Sequence, residues 1–376
     1  MNENYYIGDT PHPGFYIREE LEAREWTQRD LAYILGTPEQ SVNMILSGKR
    51  GISPEMAKAL GDAFDVSPDL FANLQRAYDM ARAREPDPSV ARRARLQSVY
   101  PVREMIKRGW LQDTDAAMLE AQMASFFCVP NADKIPHIAH AAKKNTSYYE
   151  DTPAAQLAWL FRVRQIAKTM VVSKYSEKAL REALAILQSY LLDPEEARHV
   201  PRLLADCGVR FIVVESLPNS KIDGVCFWLD KSSPVIGLSM RFDRVDNFWF
   251  VLRHEIEHVL CKHGQSQEII DVDVAASELV GDISSEEKVA NSAAADFCVP
   301  KDEIELLLAR KGLYLAERDV IGFARRLNIH PGLVVGQIQR RTERWDFLRK
   351  YLEKVRNHVL PGANVDGWGV AANVEG

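Results

Sequence analysis

The stretch Phe248-Trp249-Phe250-Val251-Leu252-Arg253-His254-Glu255-Ile256-Glu257-His258-Val259-Leu260 sets two histidines and two glutamates into an otherwise apolar run. Burying such groups costs free energy unless each finds a partner. On a helix, His254 and His258 stand four residues apart and share one face, one turn above the other. Glu255 is offset by about one hundred degrees, close enough to act on a water beside the pair without being a ligand. This is the HExxH spacing: two imidazoles for Zn2+ and a carboxylate as general base. The alternative is a solvated stripe with the histidines paired to carboxylates. The apolar remainder of the segment favours a buried helix whose polar groups are there for a purpose.

Working outward, the segment before it changes period. Arg210–Glu215, Gly224–Leu229 and Pro234–Leu238 are short β-branched or aromatic runs, separated by the polar turns Leu217–Ser220 and Asp230–Ser233. They read as a small sheet, with Pro234–Leu238 expected as an edge strand able to align an extended peptide by strand addition. A third metal ligand is needed. His263 falls almost on the opposite face of the helix's last turn and is a poor one. Downstream, Glu286–Pro300 reads as a helix with a strip of small residues, Ala290, Ala293 and Ala294. Small side chains let two helices approach closely, and Glu287, three residues before Ala290, can share that face; Glu286 points elsewhere.

At RHEIEH (Arg253–His258) and Glu287-Lys288-Val289-Ala290-Asn291, followed by Pro300, the chain resembles the ImmA/IrrE family of metallopeptidases. The resemblance runs from about Phe211 to Gln339 and includes Ile329-His330-Pro331-Gly332. It implies His254, His258 and Glu287 as Zn2+ ligands and Glu255 as the base of metal-assisted peptide hydrolysis. The chain departs from the family at Ala293, where an aromatic is usual, and at Phe297-Cys298-Val299. An oxyanion stabiliser is expected as well. His330 is the candidate, against the reading of a turn histidine capping the helix that starts at Pro331.

The N-terminal block has another grammar. Thr27–Leu35 opens on an N-cap threonine, Gly36-Thr37 makes a tight turn, and Pro38 begins a second helix that runs to Leu46. Leu31, Ala32, Val42, Ile45 and Leu46 are expected inside, with Glu39, Gln40, Ser41 and Asn43 facing outward where a major groove would be read. From His12 to Asp79 the chain resembles the XRE-type helix-turn-helix family, and within it the HigA antitoxins. That implies a five-helix fold that dimerises on palindromic double-stranded DNA. By position, Gln28, Glu39, Gln40, Ser41, Asn43, Lys49 and Arg50 form the DNA-facing group. Met1–Arg76 holds seven Lys/Arg against twelve Asp/Glu. Phosphate contact must therefore concentrate on Lys49, Arg50 and the Arg-rich stretch Ala81–Gln97. A helical interaction module that no longer binds DNA is the competing reading.

The expected fold class is mainly α with a small β-sheet, as five segments. These are a helix-turn-helix domain at 1–79, an Arg-rich connector at 80–100, a helical middle region at 101–206, an α+β zincin-like metallopeptidase domain at 207–360 and a flexible Gly-rich tail at 361–376. Hydrophobic residues are 46% and charged residues 27% of the 376, enough apolar surface for substantial cores. No run approaches a membrane span and no secretory leader is visible, so a cytoplasmic location is expected. Five scattered cysteines with no CxxC pair fit reduced thiols. They read as core fillers, with Cys261 and Cys298 flanking the metal elements as candidate oxidant sensors. His137 and His140 read as structural, and Tyr148-Tyr149 has a weaker claim on catalysis than His330.

The leading function is a DNA-binding transcriptional regulator or antitoxin fused to a zinc endopeptidase that cleaves a regulatory protein. The alternative is a non-enzymatic antitoxin or transcription factor whose peptidase-like domain senses a ligand, a metal or a partner. A third possibility is a scaffold in which the middle block binds a toxin.

Overall fold

The structure, a computed structural model, describes residues 10–131, 134, 153–265, 269–272, 284–312 and 315–374. His137, His140, Tyr148 and Tyr149 lie outside these residues. The chain divides into two compact units, Met1–Asp87 and Pro88–Gly376.

The first unit contains α1 (Pro13–Ala23), α2 (Gln28–Ile34), α3 (Glu39–Leu46), α4 (Pro54–Phe64) and α5 (Pro68–Arg82), the five helices expected. Local chemistry sets their starts. Thr27 caps α2 and forms a reciprocal capping box with Asp30. Ser53 and Ser67 cap α4 and α5, each followed by a proline whose missing N–H costs nothing at that position. Pro38 stands one residue earlier than expected, in the cap position of α3. Gly36 turns the chain between α2 and α3 at φ +61°, a conformation glycine adopts without strain. Leu31, Ala32, Val42, Ile45 and Leu46 are buried with Ile17, Leu60, Phe64 and Phe71, as the periodicity requires.

The second unit begins with α6 (Pro88–Val99), α7 (Val102–Lys107), α8 (Ala116–Phe126), α9 (Ala154–Thr169), α10 (Glu177–Ser189) and α11 (Val200–Asp206). Strands β1 (Arg210–Val214), β2 (Ile222–Trp228) and β3 (Pro234–Leu238) follow, then α12 (Val245–Leu260) and β4 (Ile269–Val272). It closes with α13 (Ser285–Cys298), α14 (Lys301–Lys311), α15 (Glu317–Leu327), α16 (Pro331–Thr342), α17 (Arg356–Val359) and β5 (Asn364–Asp366).

The sheet order is β4-β2-β3-β1-β5, with β1 parallel to both β3 and β5 and β2 antiparallel to β3 and β4. Both faces are covered, which explains why the strands read as continuous apolar runs rather than alternating ones. Phe211, Val213, Cys226, Ile236 and Leu238 enter the core beneath α12. Their neighbours Ile212, Val214, Val225, Phe227 and Val235 enter a second core with Trp159, Val163 and Ile166 of α9. The helices of 101–206 therefore share their core with the sheet. Trp159 donates its indole N–H to the carbonyl of Val214 at 2.8 Å, fixing α9 to β1.

Two expectations are corrected. Pro234–Leu238 is not an edge: β3 lies at the centre of the sheet, and the edges are β4 and β5. Ile269–Val272, which no sequence signal marked as a strand, pairs with β2 as the edge strand β4. Nor is 361–374, the described part of the expected tail, loose. Asn364–Asp366 pairs with Ile212–Val214, and Asp366 is completely buried. Its carboxylate accepts from Trp110 Nε1 at 2.6 Å, from Arg162 Nε and Nη2 at 2.8 and 2.6 Å, and from the backbone of Ala372 at 3.1 Å. Glycine content suggested mobility; one aspartate with four donors overrides it.

Candidate metal centre

Helix α12 runs beneath the sheet with nearly every side chain buried, the polar ones included. His254, Glu255 and His258 have no exposed surface. The Nε2 atoms of His254 and His258 face each other at 3.0 Å. Helix α13 packs along α12 through Ala290 and Ala294, both fully buried, as the small-residue strip predicted. Ser284 caps α13 by accepting the N–H of Glu287 at 3.2 Å. That places Glu287 where a capping-box glutamate would turn back on its own helix start. Its carboxylate is instead directed at the histidines, with Oε2 3.4 Å from His254 Nε2 and Oε1 3.4 Å from His258 Nε2. The helix N-terminus also favours its negative charge.

Two imidazole nitrogens and a carboxylate thus converge, each with an electron pair to offer. A tetrahedral Zn2+ with Zn–N bonds of about 2.0–2.1 Å sets its ligand atoms about 3.3 Å apart. The distances of 3.0, 3.4 and 3.4 Å match that spacing without rearrangement. Among the described residues, His254, His258 and Glu287 are the group of His, Cys, Asp or Glu side chains arranged to hold a metal ion.

Glu255 leaves the same helix toward β2. Its carboxylate lies against Gly224, where a methyl group would overlap Oε1. A glycine inside an apolar strand signals close approach of another group, and that signal was present in the sequence. Arg253 and Glu257 pair at 2.7 Å on the helix edge, away from the chemistry.

His330 is not brought to this centre. It is the N-cap of α16: its Nδ1 accepts the N–H of Gly332 at 3.1 Å, and its Nε2 lies 3.3 Å from Glu353. Gly332 packs near Val245 at the start of α12, about 13 Å along the helix axis from His254 at 1.5 Å per residue. The oxyanion role is withdrawn in favour of the capping one. His12-Pro13-Gly14 repeats the same tripeptide and the same bond, His12 Nδ1 accepting from Gly14 at 3.0 Å. Reading the two His-Pro-Gly segments together would have identified both caps. The cysteines are corrected too. Burial pushes the Cys298 thiol up to about 12, and partial burial followed by the nearby Glu257 carboxylate raises Cys261. Both shifts disfavour the thiolate that ready oxidation needs.

In the first unit Gln28, Glu39, Gln40, Asn43, Lys49 and Arg50 are exposed and Ser41 is half-buried. Glu39 lies 3.3 Å from Arg29 on α2 in an exposed pair. Tyr33, 87% exposed on α2, has no core role and was not singled out from the sequence.

Comparison with known proteins finds a family match in each unit. Residues 17–71 match the family described as helix-turn-helix, and residues 208–335 match the IrrE N-terminal-like domain, a peptidase family. An uncharacterized HTH-type transcriptional regulator, YddM of Escherichia coli K12, is 34% identical over 90 residues, 24% of this chain and 95% of that protein. Virulence-associated protein A' of Dichelobacter nodosus is 36% identical over 76 residues, 20% of this chain and 66% of that protein. Two solved structures resemble the N-terminal part. An addiction module antidote protein of the HigA family from Coxiella burnetii is 35% identical, covering 19% of this chain and 80% of its own, with a TM-score of 0.19. PA4674 of Pseudomonas aeruginosa, in complex with its operator DNA, is 39% identical, covering 19% and 77%, also with a TM-score of 0.19. The chain belongs to the helix-turn-helix regulators through its first unit, and residues 208–335 of its second unit match the IrrE N-terminal-like family. Among the described residues, no helix is long and apolar enough to cross a membrane.

Proposed function

We propose that this chain is a cytoplasmic, homodimeric transcriptional regulator or antitoxin whose second unit is a zinc-dependent endopeptidase acting on a regulatory protein. The observation that carries the peptidase reading is the convergence of His254, His258 and Glu287 at Zn2+ ligand spacing with Glu255 on the same helix. The three side chains would hold the ion. A Zn2+ held there would supply Lewis acidity toward a scissile carbonyl and toward water. The Glu255 carboxylate accepts the proton of the attacking water and passes it to the departing amine nitrogen. Its carboxylate lies against Gly224 of β2.

For the first unit, Gln40 and Asn43 on α3 would meet base edges, while Lys49 and Arg50 just beyond it would meet phosphates. Gln28, Glu39 and Ser41 complete that surface. The partner is double-stranded operator DNA, probed on a palindromic fragment of the chain's own promoter.

The peptidase test uses zinc-loaded full-length protein and a pool of quenched fluorescent peptides. Turnover by wild type that falls about 10²- to 10⁴-fold in Glu255→Gln supports the reading; no turnover of any peptide by zinc-loaded wild type removes it. A gel shift at two salt concentrations tests the DNA arm. Binding that weakens with salt and is lost on Lys49→Ala and Gln40→Ala supports it, and indifference to both substitutions removes it.

A further inference from the structure

His258 presents Nε2 to the ligand cluster, so its other ring nitrogen needs an explanation. Nδ1 lies 2.9 Å from Nδ1 of His263. The rings stand 5.2 Å apart between centroids and are inclined at 55°, which suits a bond from edge to edge and not a stack. His263 is five residues on, beyond the last turn of α12, and four features hold it there. Its N–H donates to the carbonyl of His258 at 2.8 Å. Lys262, just before it, takes the left-handed conformation at φ +59°, which bends the chain back over the helix end. Its own carbonyl accepts the indole N–H of Trp228 at 2.9 Å, tying the turn to β2. Gly264 then passes so close to the Cys226 carbonyl that a side chain would have to displace it.

Resting on the zinc reading of the site, we infer that His263 is a positioning residue for the ligand His258. A metal-binding nitrogen must offer its lone pair, so His258 must be deprotonated at Nε2 and carry its proton on Nδ1. Two facing Nδ1 atoms can share only one hydrogen. His258 Nδ1 therefore donates, His263 Nδ1 accepts, and the His263 proton sits on its Nε2. His263 selects the tautomer of His258 that binds metal and fixes the plane of its ring. It does so without coordinating: its Nδ1 contacts the far side of the His258 ring from the cluster. Partners of this kind are usually carboxylates or carbonyls, and losing one typically costs about 10- to 100-fold in metal affinity.

The experiment measures Zn2+ affinity of full-length protein by competition with a chromophoric chelator, for wild type, His263→Leu and His263→Asn. Leucine fills the space without an acceptor; the Asn amide oxygen can accept near the place of Nδ1. Thermal unfolding of the metal-free proteins separates a folding defect from a binding one. The expected result is about 10- to 100-fold weaker binding in His263→Leu, near-complete recovery in His263→Asn, and matching metal-free unfolding. Equal affinity in all three, or Asn as weak as Leu, overturns the positioning role while leaving the zinc site intact. Wild type that binds no zinc overturns both.

Discussion

Two clusters of polar side chains are buried in the second unit, and they are wired in opposite ways. Around Asp366, donors match acceptors: the carboxylate takes N–H groups from Trp110, Arg162 and Ala372, and Arg162 gives another to the Ala372 carbonyl. Around His254, His258 and Glu287, two ring nitrogens and a carboxylate meet within 3.4 Å, and the zinc reading needs all three to present lone pairs. The first cluster is complete in itself and ties β5 to the turn after α7 through Trp110 and to α9 through Arg162. The second gains most from a cation. Burial alone does not separate structural polar groups from functional ones; the sign of what they offer does.

The largest effect expected from breaking this contrast is on the complete cluster. Asp366→Ala strands the Arg162 guanidinium in the interior and should cost about 3–5 kcal/mol, read from denaturant unfolding. The fraction that stays folded should keep its metal, because the two clusters share no residue. A loss under about 1 kcal/mol would show that the C-terminal segment is dispensable after all.

Gly224→Ala works on the other cluster. Its methyl group overlaps the Glu255 carboxylate and touches no ligand. Zinc content should be unchanged while turnover falls about 10²-fold, the cost of displacing a reacting group by about 1 Å. Zinc loss in this variant would mean that β2 supports the ligands as well as the base.

The smallest effect sharpens the comparison with a histidine that accepts a bond and needs no metal. Burial holds His12 below the ordinary imidazole value, with Asp79 opposing. Its neutral Nδ1 caps α1, so protonation removes the cap. A histidine with lowered pKa favours the folded state fully above the ordinary value of 6.5, and that contribution is lost as pH falls from there through the lowered folded-state value. Amide exchange in α1 should therefore quicken between pH 7 and pH 5, after correction for intrinsic rates. His12→Asn, whose side chain caps at either pH, should flatten the change; an unaltered profile would place the pH sensitivity elsewhere.

Much of this was legible in the residues. The period of α2 and α3 gave the first unit's core, and HExxH with the small residues of α13 pointed to His254, His258 and Glu287. What stayed hidden depends on contacts distant in sequence. Asn364–Asp366 looks like a loop because its strand partner is more than a hundred residues away, as are the Asp366 donors Trp110, just past α7, and Arg162 of α9. Ile269–Val272 is too short to carry a period. His263 was set aside by helical geometry that stops applying at Lys262, where the chain leaves the helix. Only His330 was misjudged on local grounds, since His12-Pro13-Gly14 already displayed the same cap.

The central claim is that the cluster of His254, His258 and Glu287 binds a metal ion. The direct measurement is zinc content after purification without chelator, for wild type, Glu255→Gln and His254→Ala. One equivalent in wild type, kept in Glu255→Gln and lost in His254→Ala, is the predicted result; a folded wild type with no zinc, or zinc retained by His254→Ala, would contradict it.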